Sequence, residues 1–344
     1  MSRAHANTLF VTTQGAYLTR DHETLRVKIE GKVRLTVPLH HLEGVVCFGR
    51  VTVSPSVLAT CGEHRLGFSF LSEQGRFLAR VEPPVHGNVL LRRRQYRLAD
   101  DPAERLRLAR PMVAAKIQNS RNTLLRAARD GAAEEDMAAL RAAAGHLAAM
   151  LYDLPRAADL DTARGIEGET ARTYFGVLSR MVRHKRQAFG MTSRSRRPPR
   201  DPINALLSFV YALVRHDCHS ALECVGLDPA VGYLHVDRPG RPSLALDLME
   251  EFRALVADRL VLAMINRRQV QASGFKTDPA GGVQMDEKTR RALLVAYQER
   301  KREEVTHPML GEAVPVGLLP HLQARLLART LRGDLEAYPA LVLK

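Results

Sequence analysis

The sequence predicts an α+β protein: an N-terminal β-sheet, sandwich-like domain followed by a larger all-helical domain. Three observations carry that expectation. Residues 8–82 alternate apolar and polar side chains in short runs separated by tight-turn residues. Pro83-Pro84 then closes this stretch, because neither residue can donate to a β ladder. From residue 87 onward, apolar residues recur at three-, four- and seven-residue steps, the signature of amphipathic helices. Residues 1–86 are therefore assigned to the β domain, 87–100 to a basic interdomain connector, and 101–344 to the helical domain.

Within the β domain, residues 8–13 and 16–20 flank a turn at Gln14-Gly15. Residues 25–30 and 33–37 alternate around Gly31, as a half-buried hairpin does. Residues 45–48 and 51–53 flank Gly49-Arg50, and residues 66–71 and 76–81 flank Glu73-Gln74-Gly75. One helix is expected over 55–63, with Ser54 as N-cap and Pro55 at its first position. In the helical domain, Leu106, Met112, Val113, Ile117 and Leu124 form one apolar set. Ala171, Tyr174, Phe175, Leu178, Met181 and Val182 form a second, and Ile203, Leu206, Leu207, Val210, Leu213 and Val214 a third. Long helices are also expected over 244–266 and 286–304.

Charge narrows the function. The chain carries 51 Lys and Arg against 37 Asp and Glu, a net charge of +14. The excess is local: residues 87–200 hold 23 basic and 12 acidic residues, whereas residues 201–344 hold 18 of each. Positive charge gathered in one segment suggests a polyanion partner, most often nucleic acid. Of the basic residues 43 are Arg, whose planar fork suits phosphate. Four cysteines without a Cys-x-x-Cys pair exclude a disulfide-stapled scaffold. No run approaches the roughly 18 apolar residues needed to span a bilayer, and the N-terminus lacks an apolar signal core. A soluble, cytoplasmic protein without membrane contact is expected.

Two segments place acids and a histidine where they interrupt apolar patterns. In the first, Glu167 lies between Gly165 and Gly168 at the expected start of a helix. Glycines there let a ligand or another backbone approach the carboxylate, although a first-turn acid also complements the helix dipole. In the second, His235 precedes a Pro/Gly turn, and a helix begins near Ser243. Asp247 and Glu250 are three apart, Asp247 and Glu251 four apart, so helical spacing does not distinguish the two glutamates. Leu244, Leu248, Phe252 and Leu255 face the core beside them. Carboxylates with one imidazole suit Mn²⁺ or Mg²⁺ better than Zn²⁺. His216, Cys218, His219 and Cys224 do not reproduce paired zinc-knuckle spacings and are read as helix-surface and core residues.

Taken together, these segments resemble the CRISPR adaptation integrase family, CRISPR-associated protein one. The likeness rests on Gly-Ile-Glu-Gly followed by Ala-Arg-Thr-Tyr-Phe, then Asn204-Ala-Leu-Leu-Ser-Phe-Val-Tyr, Gly-Tyr-Leu-His, and Leu-Asp-Leu-Met-Glu-Glu-Phe-Arg. Asn-Thr-Leu-Phe-Val-Thr-Thr-Gln-Gly-Ala-Tyr-Leu and Leu-Glu-Gly-Val-Val-Cys-Phe-Gly extend it into the β domain. It covers nearly the whole chain and looks closest to the type I-C branch.

The resemblance implies a catalytic helical domain that joins DNA by phosphoryl transfer, a prespacer 3′-hydroxyl attacking the repeat backbone. It places the catalytic and metal-binding roles on Glu167, His235 and Glu250, with Mg²⁺ or Mn²⁺ as cofactor. Many family members carry Asp where this chain has Glu250. Asp247 becomes a supporting acid that orients His235 or binds through water, and Glu251 is read as surface. The resemblance also implies a homodimer formed by the β domains. Two such dimers would flank a dimer of CRISPR-associated protein two, with CRISPR-associated protein four as a prespacer-processing partner.

Residues 180–200 contain eight Arg or Lys and no acid. Arg183, Lys185, Arg186, Arg194, Arg196 and Arg197 are the expected contacts to double-stranded DNA. Arg92-Arg93-Arg94 and Arg97 form a second basic group, a phosphate contact or a charged connector. Two alternatives stand beside the integrase: a stand-alone structure-specific nuclease and a non-enzymatic architectural DNA-binding subunit.

Overall fold

The computed structural model describes residues 8–42, 44–64, 66–73, 75, 77–81, 89–130 and 133–343. The expected stop at Pro83-Pro84 lies outside them. The described residues fall into two compact units, one within residues 1–87 and 294–303, the other within 88–293 and 304–344.

The first unit contains β1 (Thr8–Val11), β2 (Tyr17–Asp21), β3 (Thr24–Ile29), β4 (Lys32–Pro38), β5 (Gly44–Phe48) and β6 (Thr52–Val53). Helix α1 (Pro55–Glu63), β7 (Gly67–Leu71) and β8 (Phe77–Val81) follow. The strands form two four-stranded sheets, ordered β1-β5-β7-β8 and β4-β3-β2-β6. In the first, β5 runs parallel to β1 and β7, and β8 closes antiparallel. In the second, β2, β3 and β4 are antiparallel and β6 lies parallel to β2. Strand β5 is buried along its whole length, as the unbroken apolar run Gly-Val-Val-Cys-Phe requires of a central strand. Leu18, Leu25 and Val27 from one sheet meet Val11, Val45, Cys47 and Phe68 from the other, and α1 adds Val57 and Cys61. Each of the valine, leucine and phenylalanine side chains contributes about 1.5–3 kcal/mol when fully withdrawn from water.

Two turns differ from the simple hairpins their sequences suggest. Gln14-Gly15 and Gly49-Arg50 are corners that carry the chain from one sheet to the other. They lock together: Gly15 N–H donates to the Arg50 carbonyl at 2.7 Å, and Gln14 Nε2 donates to the Phe48 carbonyl at 3.0 Å. Gly49 has φ +72°, and a Cβ there would strike the Gln14 side chain.

The second unit is built on α2 (Val89–Asp100), α3 (Pro102–Arg129), α4 (Glu134–Asp153), α5 (Leu160–Gly176), α6 (Arg186–Phe189), α7 (Pro202–Cys224), α8 (Ser243–Met249) and α9 (Arg259–Asn266). Between α8 and α9 lies a π-helical turn, Arg253–Asp258. Two small ribbons decorate it, β9 (Phe275–Thr277) with β10 (Val283–Met285), and β11 (Glu304–Thr306) with β12 (Ala313–Pro315). Helix α10 (Glu287–Arg302) begins in this unit, and its second half belongs to the first unit; α11 (Leu319–Arg332) completes the bundle. Side-chain caps start the helices that matter most below. Asp101 accepts from Ala103 N–H at 2.9 Å ahead of α3, Asp159 from Thr162 N–H at 2.7 Å ahead of α5, and Asp201 from Asn204 N–H at 2.8 Å ahead of α7. Among the described residues, no helix is long and apolar enough to cross a membrane.

The segment expected as a basic connector is helical over Val89–Asp100 and belongs to the second unit. Its Gln95 is fully buried, and its amide bonds the Asp228 and Val231 carbonyls at 2.8 and 3.0 Å. The helix expected over 244–266 is broken. Glu250, Glu251 and Phe252 donate to carbonyls three residues back, and Ala257 then reaches five back to Phe252. This tight-then-wide passage falls at the acids singled out in the sequence.

Candidate active site

Helix α5, the loop before α8, α8 itself and the broken turn after it bring Glu167, His235, Asp247 and Glu250 into one region. Glu167 sits well inside α5, whose first residue is Leu160. The expectation of a helix start at Glu167 is thus corrected: the Asp159 cap begins the helix two turns earlier, despite the glycines. A Cβ at Gly165 or Gly168 would meet open space.

Asp247 is fully buried. Its Oδ2 accepts the N–H groups of Tyr233 and Leu234 at 2.6 and 3.0 Å, and its Oδ1 accepts the N–H of His235 at 2.9 Å. Oδ1 also lies 2.6 Å from His235 Nδ1. A carboxylate is an acceptor, so the proton of this bond sits on Nδ1, and Nε2 is left at the far side of the ring from Asp247. Nε2 stands 3.9 Å from Glu250 Oε1. Gly232 makes this wrap feasible, since a Cβ there would lie 2.8 Å from Asp247 Oδ2.

Glu250 is 2% exposed and held by two cations. Arg253 Nε lies 2.9 Å from Oε1, and Lys116 Nζ 2.6 Å from Oε2. The same Lys116 ammonium pairs with Glu167. Burial pushes the Glu250 carboxyl up, but Arg253, Lys116 and His235 together outweigh it and hold it below the usual carboxylate range. Glu251 goes the other way. It was expected at the surface, yet it is 0% exposed. Its Oε1 accepts from Tyr338 OH at 2.5 Å, and its Oε2 from Leu341 N–H at 2.6 Å and Gln323 Nε2 at 2.8 Å. The tight turn at 250–252 separates the adjacent glutamates. Glu250 faces Lys116, and Glu251 anchors the C-terminal segment.

Among the described residues, no three His, Cys, Asp or Glu side chains stand as a ready metal cluster. Lys116 stands instead between the Glu167 and Glu250 carboxylates. The donor set nonetheless fits a divalent cation. Two carboxylates from separate elements already share one cationic position, beside an imidazole whose far nitrogen is fixed. Cys218 is buried on α7, and Cys224 is exposed at its end.

Sequence reasoning missed Lys116, Arg253 and Asp258. Lys116 is the one lysine between Lys32 and Lys185 and interrupts the apolar face of α3 beside Val113 and Ile117. Asp258 accepts from Tyr174 OH at 3.0 Å and Tyr211 OH at 2.6 Å. Both tyrosines belong to the motifs quoted above. Burial raises Asp258 to about 6, against the pull of those hydroxyls and Arg253. Lys116, Tyr174, Tyr211, Arg253 and Asp258 line a small, partly open cleft.

The six expected DNA contacts divide. Arg183, Lys185, Arg196 and Arg197 are exposed. Arg186, also at the surface, pairs with buried Asp136, which Arg180 holds at 3.1 Å. Arg194 turns inward: Nη1 donates to the Ser195 carbonyl at 2.5 Å and Asn204 Oδ1 at 2.6 Å, and Nη2 to Ser208 Oγ at 3.1 Å.

Comparison with known proteins places this two-unit chain in one class of protein. The family described as CRISPR associated protein Cas1 matches residues 9–299. The CRISPR-associated endonuclease Cas1 1 of Moorella thermoacetica is 51% identical over 332 residues, 96% of this chain and 97% of its own. Its namesake from Chlorobaculum tepidum is 50% identical over 340 residues, 99% of each chain. A Cas4 exonuclease/Cas1 endonuclease fusion from Geobacter sulfurreducens is 39% identical, over 97% of this chain and 60% of the fusion. The fold matches a Cas1 protein from Thermotoga maritima with TM-score 0.80 at 23% identity, covering 95% of this chain and 97% of that one. It also matches a casposase bound to integration product, TM-score 0.81 at 21% identity, over 97% and 93% of the two chains. A chain of a Cas6-RT-Cas1–Cas2 complex matches with TM-score 0.82 at 21% identity, over 99% of this chain and 36% of that one. The chain belongs to the Cas1 family.

Proposed function

We propose that this chain is a divalent-metal-dependent DNA integrase and endonuclease of CRISPR spacer acquisition. The observation that carries the reading is the convergence of Glu167 and Glu250 on one cationic position beside His235. Glu167, Glu250 and His235 would hold Mg²⁺ or Mn²⁺. Bound there, the cation would neutralise charge on the phosphate oxygens during attack by a prespacer 3′-hydroxyl on the repeat backbone. Asp247 orients the His235 ring and holds the preceding loop. Exposed Arg183, Lys185, Arg196 and Arg197 would contact duplex phosphates, with Arg186 and Arg194 shaping the segment that carries them. The Cas4 fusion and the Cas2-containing complex support CRISPR-associated proteins two and four as partners, and the type I-C likeness of the motifs is part of the same proposal. Edge strand β4, with Val33 and Leu35 exposed, supports a homodimer through the β unit.

The test is half-site integration into a supercoiled repeat-bearing plasmid, with and without the Cas2 partner, and with EDTA as control. Glu167→Ala, His235→Ala and Glu250→Ala should abolish strand transfer while duplex binding survives. Full integration by any of the three in Mn²⁺ sinks the assignment. Cutting of branched DNA without any integration in the partner's presence would favour the stand-alone nuclease.

A further inference from the structure

We infer that Lys116 is a built-in counter-cation of this site, which holds the Glu167 and Glu250 carboxylates at one position and withdraws when a divalent cation binds. The inference rests on the metal reading above.

The geometry distinguishes this lysine from an ordinary structural ion pair. Glu250 already has a fixed partner, because Arg253 Nε lies 2.9 Å from its Oε1. Lys116 engages the other oxygen at 2.6 Å and uses the same ammonium on Glu167. The three side chains come from three elements, α3, α5 and the turn after α8. Two carboxylates brought together from separate elements, one of them buried, repel unless a cation lies between them. An ammonium is a compact charge on a flexible four-carbon stem, so it can leave without disturbing the backbone. The Arg253 fork lacks that freedom, being stacked 4.6 Å from the Tyr211 ring. The Glu167 side of the position is accessible: that side chain is 26% exposed, against 3% for Glu250.

A resident competitor lowers apparent affinity in proportion to the fraction of molecules from which it is withdrawn. A lysine absent from the position in about one molecule in ten weakens apparent metal binding about tenfold. Removing the ammonium should therefore have two effects of opposite sign, less stability without metal and tighter binding of metal. A lysine with only a structural role would lower both together.

The experiment compares wild type with Lys116→Met, which keeps the stem and removes the charge. Mn²⁺ binding is measured by calorimetry and Tm with and without Mn²⁺. The expected result is a lower Tm without metal, about tenfold tighter Mn²⁺ binding, and a larger rise in Tm on adding Mn²⁺. Equal or weaker Mn²⁺ binding by Lys116→Met, with wild type binding normally, overturns the inference and leaves the metal reading intact. Failure of both proteins to bind Mn²⁺ overturns the metal reading itself. If Lys116→Met does not fold without metal, recovery of the fold in Mn²⁺ supports the inference, and failure to fold in Mn²⁺ as well overturns it.

Discussion

One oxygen of Asp247 fixes both the main chain and the ring of His235: Oδ1 lies 2.9 Å from the backbone nitrogen and 2.6 Å from Nδ1. With Oδ2 occupied by Tyr233 and Leu234 N–H groups, the carboxylate's acceptor capacity is filled. Asp247→Asn places an amide N–H₂ against donors and frees the ring. Strand transfer should fall about 10–100-fold, and stability by about 1–3 kcal/mol. Integration kinetics together with urea unfolding check this. Unchanged kinetics would show that Asp247 does not act through His235.

Neighbouring glutamates should separate activity from stability. Glu251→Ala leaves Tyr338 OH, Gln323 Nε2 and Leu341 N–H without their common acceptor. It should cost about 3 kcal/mol in a denaturant titration and release the C-terminal segment to limited proteolysis. A variant as stable as wild type would contradict the anchoring role.

The basic segment should behave as two groups. Arg196→Gln and Arg197→Gln, at exposed positions, should each reduce the slope of log affinity against log salt for duplex DNA by about 1, with Tm unchanged. Arg194→Gln should lower Tm, because it removes bonds to Ser195, Asn204 and Ser208. Salt slopes equal to wild type in the first two variants would remove those residues from the DNA contact.

Asp258 predicts a pH dependence of stability. Burial raises its pKa from 3.8 to about 6, so the folded chain binds this proton more tightly than the unfolded chain. Its contribution is complete below about 3.8 and is lost as pH rises through about 6. The loss amounts to at most about 3 kcal/mol. Asp258→Asn should make the stability profile shallower across that window, leaving the slope due to Glu251, which burial raises to about 7, read as Tm at successive pH values. A profile as steep as wild type would assign the slope to other groups.

The two-part architecture was legible because alternation and helical period are local properties. Pro55–Glu63 emerged with the expected bounds for that reason. Partner choice was not local. Gln14-Gly15 and Gly49-Arg50 announce turns, but only tertiary pairing makes them corners between sheets. Glu250 and Glu251 both satisfied helical spacing, and a one-residue change in hydrogen-bond reach at 250–252 sends them to opposite sides. Lys116 was hidden by the positive charge of its surroundings, since a basic residue in a basic segment reads as a contact for DNA. Its pairing with two acids 51 and 134 positions later depends on how α3, α5 and the turn after α8 pack.

Gln298 Nε2 donates to the Thr8 carbonyl at 2.6 Å, and Lys301 Nζ reaches Thr8 Oγ1 at 3.2 Å, so the second half of α10 closes against β1 across about 290 residues of chain. At a synthesis rate of about 5–20 residues per second, that helix emerges roughly 15–60 s after the strand it bonds. Until then the Thr8 end of β1, the edge strand of its sheet, lacks these two bonds and is open to unwanted pairing. A nascent chain stalled before residue 294 carries every strand of the two sheets and still lacks the piece that completes them.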